Sequence, residues 1–352
     1  MREASFYTPV EGGKIQCLLC PHACRIPVGG KGVCGVRENR NGVLFTLVYG
    51  RVIAEHVDPI EKKPLFHFLP GTLSYSIATV GCNFRCKHCQ NADISQYPRM
   101  MEEAREIEED EEKVEKEELP GKQRTPEEIV VAAIYTKCSS IAYTYTEPTI
   151  FMEYALDVAK IAKESGLKNV FVSNGYTTKR ALKEAIAYID AFNIDLKAFS
   201  DEFYQEICGA HLQPVLDTLS FLKENKKWVE VTTLLIPGFN DNKEELEQLV
   251  SFIADELGTE TPWHVSRFHP DYQRLDVPPT PLKKIEEAIA IGKKAGLKYI
   301  YAGNVWHTEN ENTFCPNCKR PLIIREGFSI IENRVKDGEC PYCHEPIAGV
   351  WG

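Results

Sequence analysis

The sequence predicts an α/β protein built as a partial (β/α)6-type, TIM-like barrel, and three observations predict it. Strand-like and helix-like segments alternate six or seven times through residues 72–305. The strand-like segments are short apolar or β-branched runs, as parallel strands covered on both faces are. No GxGxxG turn follows any of them, so the main sign of a doubly wound dinucleotide-binding sheet is missing. An open doubly wound sheet stays as the alternative.

Strands are expected near 74–80, 141–145, 169–173, 192–196, 229–236, 264–268 and 299–302. Amphipathic helices are expected near 126–138, 150–165, 178–189, 212–225, 242–257 and 281–295. Thr125-Pro126-Glu127-Glu128 reads as a helix start: Thr125 caps, Pro126 suits the first helical position and Glu128 completes a capping box. Gly166 and Gly296 stand where two helices should end.

Three regions follow: a Cys-rich metal-binding segment over 1–71, the barrel over 72–305, and a four-Cys knuckle over 306–352. The net charge is -10, yet the run 102–118 holds eleven acids against three basic residues, a local -8. The acidity is therefore a local feature, expected to be a mobile surface insertion, and speaks only weakly against a nucleic-acid partner. No apolar leader or membrane-length apolar run is present, so the expectation is a cytoplasmic protein with no membrane and no nucleic-acid partner.

Thirteen cysteines in such a chain point to metal rather than to disulfides. Cys82, Cys86 and Cys89 form C-x3-C-x2-C directly after the first barrel strand, at its C-terminal end, where barrel enzymes place their chemistry. Iron–sulfur clusters normally take four thiolates, so three leave one iron of a [4Fe-4S] cluster open to a ligand. The competing reading is a Cys3His zinc site completed by His88, although adjacent ligands fit one tetrahedral ion awkwardly.

Cys17, Cys20, Cys24 and Cys34 make a second set that suits zinc or a second cluster. Cys315, Cys318, Cys340 and Cys343 form two C-P-x-C knuckles of zinc-ribbon or rubredoxin-like spacing, for zinc first or iron second. Cys138 and Cys208 stand alone and read as buried packing residues.

The central motif resembles the signature of the radical S-adenosylmethionine (SAM) superfamily. That resemblance implies a [4Fe-4S] cluster whose open iron is chelated by SAM. It also implies reductive cleavage to a 5′-deoxyadenosyl radical and abstraction of hydrogen from a substrate. It places His88 near the adenine and Glu147, of Tyr145-Thr146-Glu147-Pro148, at the SAM amino group. Asp195-Leu196-Lys197 resembles the Asp-x-Lys motif of pyruvate formate-lyase activating enzymes, which puts Lys197 at the SAM carboxylate with Asp195 beside it. Asn174 and His269 match further polar positions of that site.

The whole layout, including Asp58-Pro59-Ile60-Glu61-Lys62-Lys63-Pro64-Leu65-Phe66-His67-Phe68, is most similar to the radical SAM proteins of the AmmeMemoRadiSam system. That similarity implies association with Memo-like and AMMECR-like proteins, and an electron donor such as a ferredoxin or flavodoxin. Two alternatives stay open: an activase acting on a glycine of a partner enzyme, and a non-catalytic iron–sulfur electron carrier.

Overall fold

The computed structural model describes residues 1–107, 118–305 and 308–352. Most of the acidic run, 108–117, lies outside the described residues; its start continues a helix over Tyr97–Ile107.

The expected partial barrel is what forms. One sheet holds eight strands in sequential order: β1 (Ala54–Pro59), β2 (Leu73–Ala78), β3 (Ser140–Tyr143), β4 (Lys168–Ser173), β5 (Ala191–Asp195), β6 (Trp228–Leu235), β7 (Trp263–Arg267) and β8 (Ile300–Gly303). Strands β2 to β8 are parallel to their neighbours, while β1 runs antiparallel to β2 from Ala54↔Ala78 to Pro59↔Leu73. The sheet stays open, with β1 and β8 as its edges. The apolar runs read from the sequence lie in the seven parallel strands, and β3 is buried at every residue. The sequence reading gave no strand to 54–59. This edge strand carries Glu55, His56 and Asp58, and is only partly covered.

The helices between the strands follow the expected capping. Thr125 accepts the Glu128 N–H, and the Glu128 side chain accepts the Thr125 N–H, a closed capping box at the start of the helix Pro126–Tyr135. The helix Met152–Glu164 carries Glu153 and Asp157, which tie the N-terminal segment to the barrel. Buried Arg37 pairs with Glu153, and Arg2 pairs with Asp157. The Ser5 N–H donates to Glu153 Oε1 at 2.9 Å.

Residues 60–69 fill the lower half of the barrel. Ile60, Leu65, Phe68 and Leu69 pack against Ala142, Val170 and Ala191 from the strands. A buried carboxylate anchors this plug: Glu230 accepts the N–H groups of Phe66 (2.9 Å) and His67 (2.8 Å), and meets His264 Nε2 at 2.7 Å. Asn193 Nδ2 donates to the Pro64 carbonyl at 2.8 Å. These polar residues face inward because side chains alternate along a strand, and each finds a partner in the plug, as buried polar groups must.

The C-terminal region forms an antiparallel sheet of Thr313–Phe314, Pro321–Glu326 and Ser329–Asn333. Its Arg325 donates to the Phe66 carbonyl at 2.9 Å and stacks over the Phe66 ring at 4.2 Å. Val350 exchanges backbone hydrogen bonds with His67 and Leu69 at 2.7 and 2.8 Å. The ribbon is thus fastened to the plug.

Candidate active site

A cavity of about 440 Å³ opens at the C-terminal ends of the parallel strands. Its size suits a small-molecule site. The loop after β2 brings Cys82, Cys86, His88 and Cys89 to its wall. Glu147, Asn174, Asp195 and Lys197 reach it from the ends of β3, β4 and β5. The structure therefore gathers all of these sequence-predicted residues around one space. His269 is not among them: it is exposed, past the end of β7, and does not line the cavity. The histidine of β7 that does line it is His264, already engaged with Glu230.

The cluster loop is held by backbone and side-chain contacts. Gly81 has φ +98°, and a Cβ there would meet Val36 Cγ1 at 2.7 Å and the Cys34 carbonyl at 2.9 Å, so only glycine fits. Asn174 Nδ2 donates to Asn83 Oδ1 at 2.8 Å, and Asn83 Nδ2 donates to the Tyr176 carbonyl at 2.9 Å. The N–H groups of Arg85 and Lys87 donate to the carbonyls of Cys208 (2.7 Å) and Ile207 (3.0 Å).

The sulfurs receive donors as cluster thiolates do. The Phe84 N–H points to Cys82 Sγ at 3.3 Å, and Ser95 Oγ lies 3.2 Å from Cys89 Sγ. The neighbouring Cys208 thiol holds that of Cys86 below its ordinary value, against the effect of burial. Cys208 and Cys138 are both buried, as their isolation in the sequence suggests, and nothing in the spacing of Cys208 ties it to Cys86.

His88 is buried, and its Nδ1 has no partner among the described residues. Burial, then the positive charges of Lys197 and Arg274, push its pKa down to about 3, so the ring is neutral. Lys197 Nζ donates to Asp195 Oδ2 at 2.9 Å. Burial works against the ammonium, but Asp195 and the thiols of Cys86 and Cys208 keep it well above the ordinary lysine value.

Glu147 is buried and heavily engaged. Its Oε1 accepts from Thr149 N–H (3.0 Å), Thr149 Oγ1 (2.6 Å) and Ser173 Oγ (2.8 Å), while Oε2 accepts from Asn174 N–H (2.8 Å). Burial raises its carboxyl, and these donors pull it back. It caps the turn Pro148–Phe151 and pins the ends of β3 and β4, so the helix-start role and the cavity position coexist.

Of the two outer cysteine sets, the C-terminal one converges. The four C-terminal thiols lie within 4.8 Å of one another, with Cys315–Cys343 at 3.6 Å and Cys318–Cys340 at 3.7 Å. A tetrahedron of Zn–S bonds of about 2.3 Å has edges of about 3.8 Å, so this set fits zinc or iron. At the N-terminal set, burial pushes the Cys34 thiol up to about 11 and raises Cys17 and Cys20, with the neighbouring thiols adding to each. Arg37 faces Cys17 and Cys34, and its Nε and Nη1 have no hydrogen-bond partner among the described residues. A buried cation with spare donors beside Cys17 and Cys34 suits thiolates there, but the four thiols of this set are not gathered within metal-holding distance as the C-terminal four are. His22 Nε2 lies 2.7 Å from the Asn83 carbonyl, so this set abuts the cluster loop.

A parallel partial barrel with a three-cysteine loop at its mouth defines a radical SAM protein. The sequence profile of the Radical SAM superfamily matches residues 76–253, and the chain belongs to that superfamily. Its members use a [4Fe-4S] cluster and SAM.

An uncharacterized protein of Methanocaldococcus jannaschii is 48% identical over 99% of both chains. The pyruvate formate-lyase-activating enzyme of Staphylococcus epidermidis is 26% identical over 66% of this chain and 89% of its own length. A radical SAM methyltransferase from Sphaerobacter thermophilus aligns with 84% of this chain and 76% of that one, at 13% identity and a TM-score of 0.49. No helix among the described residues is long and apolar enough to cross a membrane.

Proposed function

We propose that Cys82, Cys86 and Cys89 hold the catalytic [4Fe-4S] cluster and that the chain cleaves SAM reductively to initiate hydrogen abstraction from a substrate. The observation that carries this reading is the cavity itself: the three thiols share it with Lys197, Asp195, Glu147 and His88. A reduced cluster held by these cysteines would supply the electron for reductive cleavage of the SAM sulfonium–C5′ bond.

The protein's part is binding and orientation. Lys197, fixed by Asp195, meets the SAM carboxylate. Glu147 Oε2, with a single donor among its contacts, takes the SAM ammonium. The neutral His88 ring keeps Nδ1 free for the adenine. Asn174 sets the cluster loop against β4. The plug closes the barrel from below and keeps water from the reacting atoms.

The relatives named as activating enzymes support a second, finer reading, in which the abstracted hydrogen belongs to a glycine of a partner protein. A low-potential ferredoxin or flavodoxin is the proposed electron donor. Electron–nuclear double resonance tests the central reading. With SAM labelled by 15N at the amino group and 17O at the carboxylate, the reconstituted, reduced cluster should show hyperfine coupling to both labels. A cluster with no coupling to either contradicts the chelation on which the reading depends.

A further inference from the structure

We infer that the cavity contains, beside the SAM wall, a subsite for an anionic group of the substrate, a carboxylate or a phosphate, built from Lys62 and Lys63 with Asp58 and Tyr145. This rests on the proposed SAM chemistry for its meaning, but its geometry is independent of it.

Lys62 and Lys63 lie in the plug just after β1 and line the same cavity as the three cysteines. None of the residues proposed for the cluster or for SAM belongs to this wall. Lys63 is almost fully buried; its Nζ lies 2.6 Å from Asp58 Oδ2, 3.5 Å from the Tyr145 hydroxyl and 4.5 Å above the Tyr145 ring. Lys62 Nζ lies 2.9 Å from Asp58 Oδ1, and the Tyr145 hydroxyl donates to Asp58 Oδ2. Both carboxylate oxygens of Asp58 are thus occupied, and one acid faces two ammonium groups.

An ammonium carries three N–H donors. The single contact of Lys62 leaves two of them for a ligand, and the contacts of Lys63 leave at least one. The cluster therefore keeps a net positive charge and unspent donors toward the cavity. Burial brings Lys63 down to about 8, and at neutral pH it still bears its proton.

Tyr145 shows that this arrangement is imposed rather than incidental. Its φ of +62° lies in the left-handed region, which costs a bulky side chain on the order of 1–3 kcal/mol. The conformation is fixed at both ends: Asn91 Nδ2 donates to its carbonyl at 2.8 Å, and its hydroxyl holds Asp58. Strain retained beside a cavity marks a site held for a ligand.

The test uses the full-length, anaerobically reconstituted protein, saturated with SAM. Equilibrium dialysis measures binding of radiolabelled inorganic phosphate and of acetate, with acetamide as the neutral competitor. Amine acetylation read by mass spectrometry follows the half-exposed Lys62 in the same samples.

At least one anion should bind saturably, resist acetamide and protect Lys62, the accessible lysine of the pair, from acetylation. The anion that binds more tightly identifies the carboxylate or the phosphate source. Lys62→Met, at a half-exposed side chain, should weaken binding about tenfold, the loss of one charge-assisted contact of roughly 1.4 kcal/mol, with the fold checked by circular dichroism. Absence of saturable binding, binding unchanged in Lys62→Met, or Lys62 left unprotected in the parent protein overturns the subsite. SAM binding and cleavage are scored separately. A protein that binds the anion and protects Lys62 but ignores SAM keeps the subsite and loses the proposed function, and the reverse result does the opposite.

Discussion

Replacing Glu153 by Ala should destabilise the protein through a single buried cation. The Arg37 and Glu153 side chains are 1% and 2% exposed, so neither charge has water to fall back on. Arg37 already has Nε and Nη1 without a hydrogen-bond partner among the described residues, and Glu153 also accepts the Ser5 N–H. Removing one partner of such a pair costs about 3–5 kcal/mol, because the remaining charge is left uncompensated. The double change Arg37→Met with Glu153→Leu should cost much less, since no charge is left behind.

Arg37 also faces the thiols of Cys17 and Cys34, so metal–thiolates at that site would share its charge. The Glu153→Ala penalty should therefore be smaller in metal-loaded protein than after chelation. Denaturant unfolding of both forms, with the shift in midpoint multiplied by the slope, gives the energies. A single-variant loss below about 1 kcal/mol in the chelated protein, or a double variant as unstable as the single, refutes the assignment of a buried, mutually dependent pair.

Asn174→Ala removes the bond that sets Asn83 in the cluster loop, and it should lower SAM affinity about tenfold with the barrel still folded, as titration calorimetry and circular dichroism would read. His67 is buried, and burial brings it down to about 4 from the ordinary 6.5. The unfolded chain therefore binds the extra proton between these values, and stability should fall by up to about 3 kcal/mol as pH drops from 6.5 to 4. His67→Gln should flatten that slope in unfolding curves. Cys318→Ala should free the C-terminal metal and loosen the ribbon from the plug, exposing Arg325–Phe66 contacts to limited proteolysis while the N-terminal metal stays bound.

The seven parallel strands were legible because their burial on both faces writes continuous apolar runs into the sequence. The edge strand Ala54–Pro59 was not, because one side of it is open and its residues are mixed. The three-cysteine loop was legible from its spacing, whereas Asp195 and Lys197 at one strand end were read through a resemblance. His269 was placed by resemblance and ends up exposed, whereas His264, five residues earlier in β7, lines the cavity. The contacts of Cys208 with Cys86 and of Lys63 with Asp58 and Tyr145 depend on tertiary packing between distant segments. No local pattern encodes them.

The most direct measurement of the central claim is the yield of 5′-deoxyadenosine from SAM under strictly anaerobic, reducing conditions, compared between the reconstituted protein and Cys82→Ala with metal content determined for each. The account predicts 5′-deoxyadenosine and methionine in equal amounts from the intact protein. It predicts none from Cys82→Ala, which should still hold metal at its two outer cysteine sets. A reconstituted protein with a full cluster that leaves SAM uncleaved, or a Cys82→Ala protein that cleaves it as well as the parent, contradicts it.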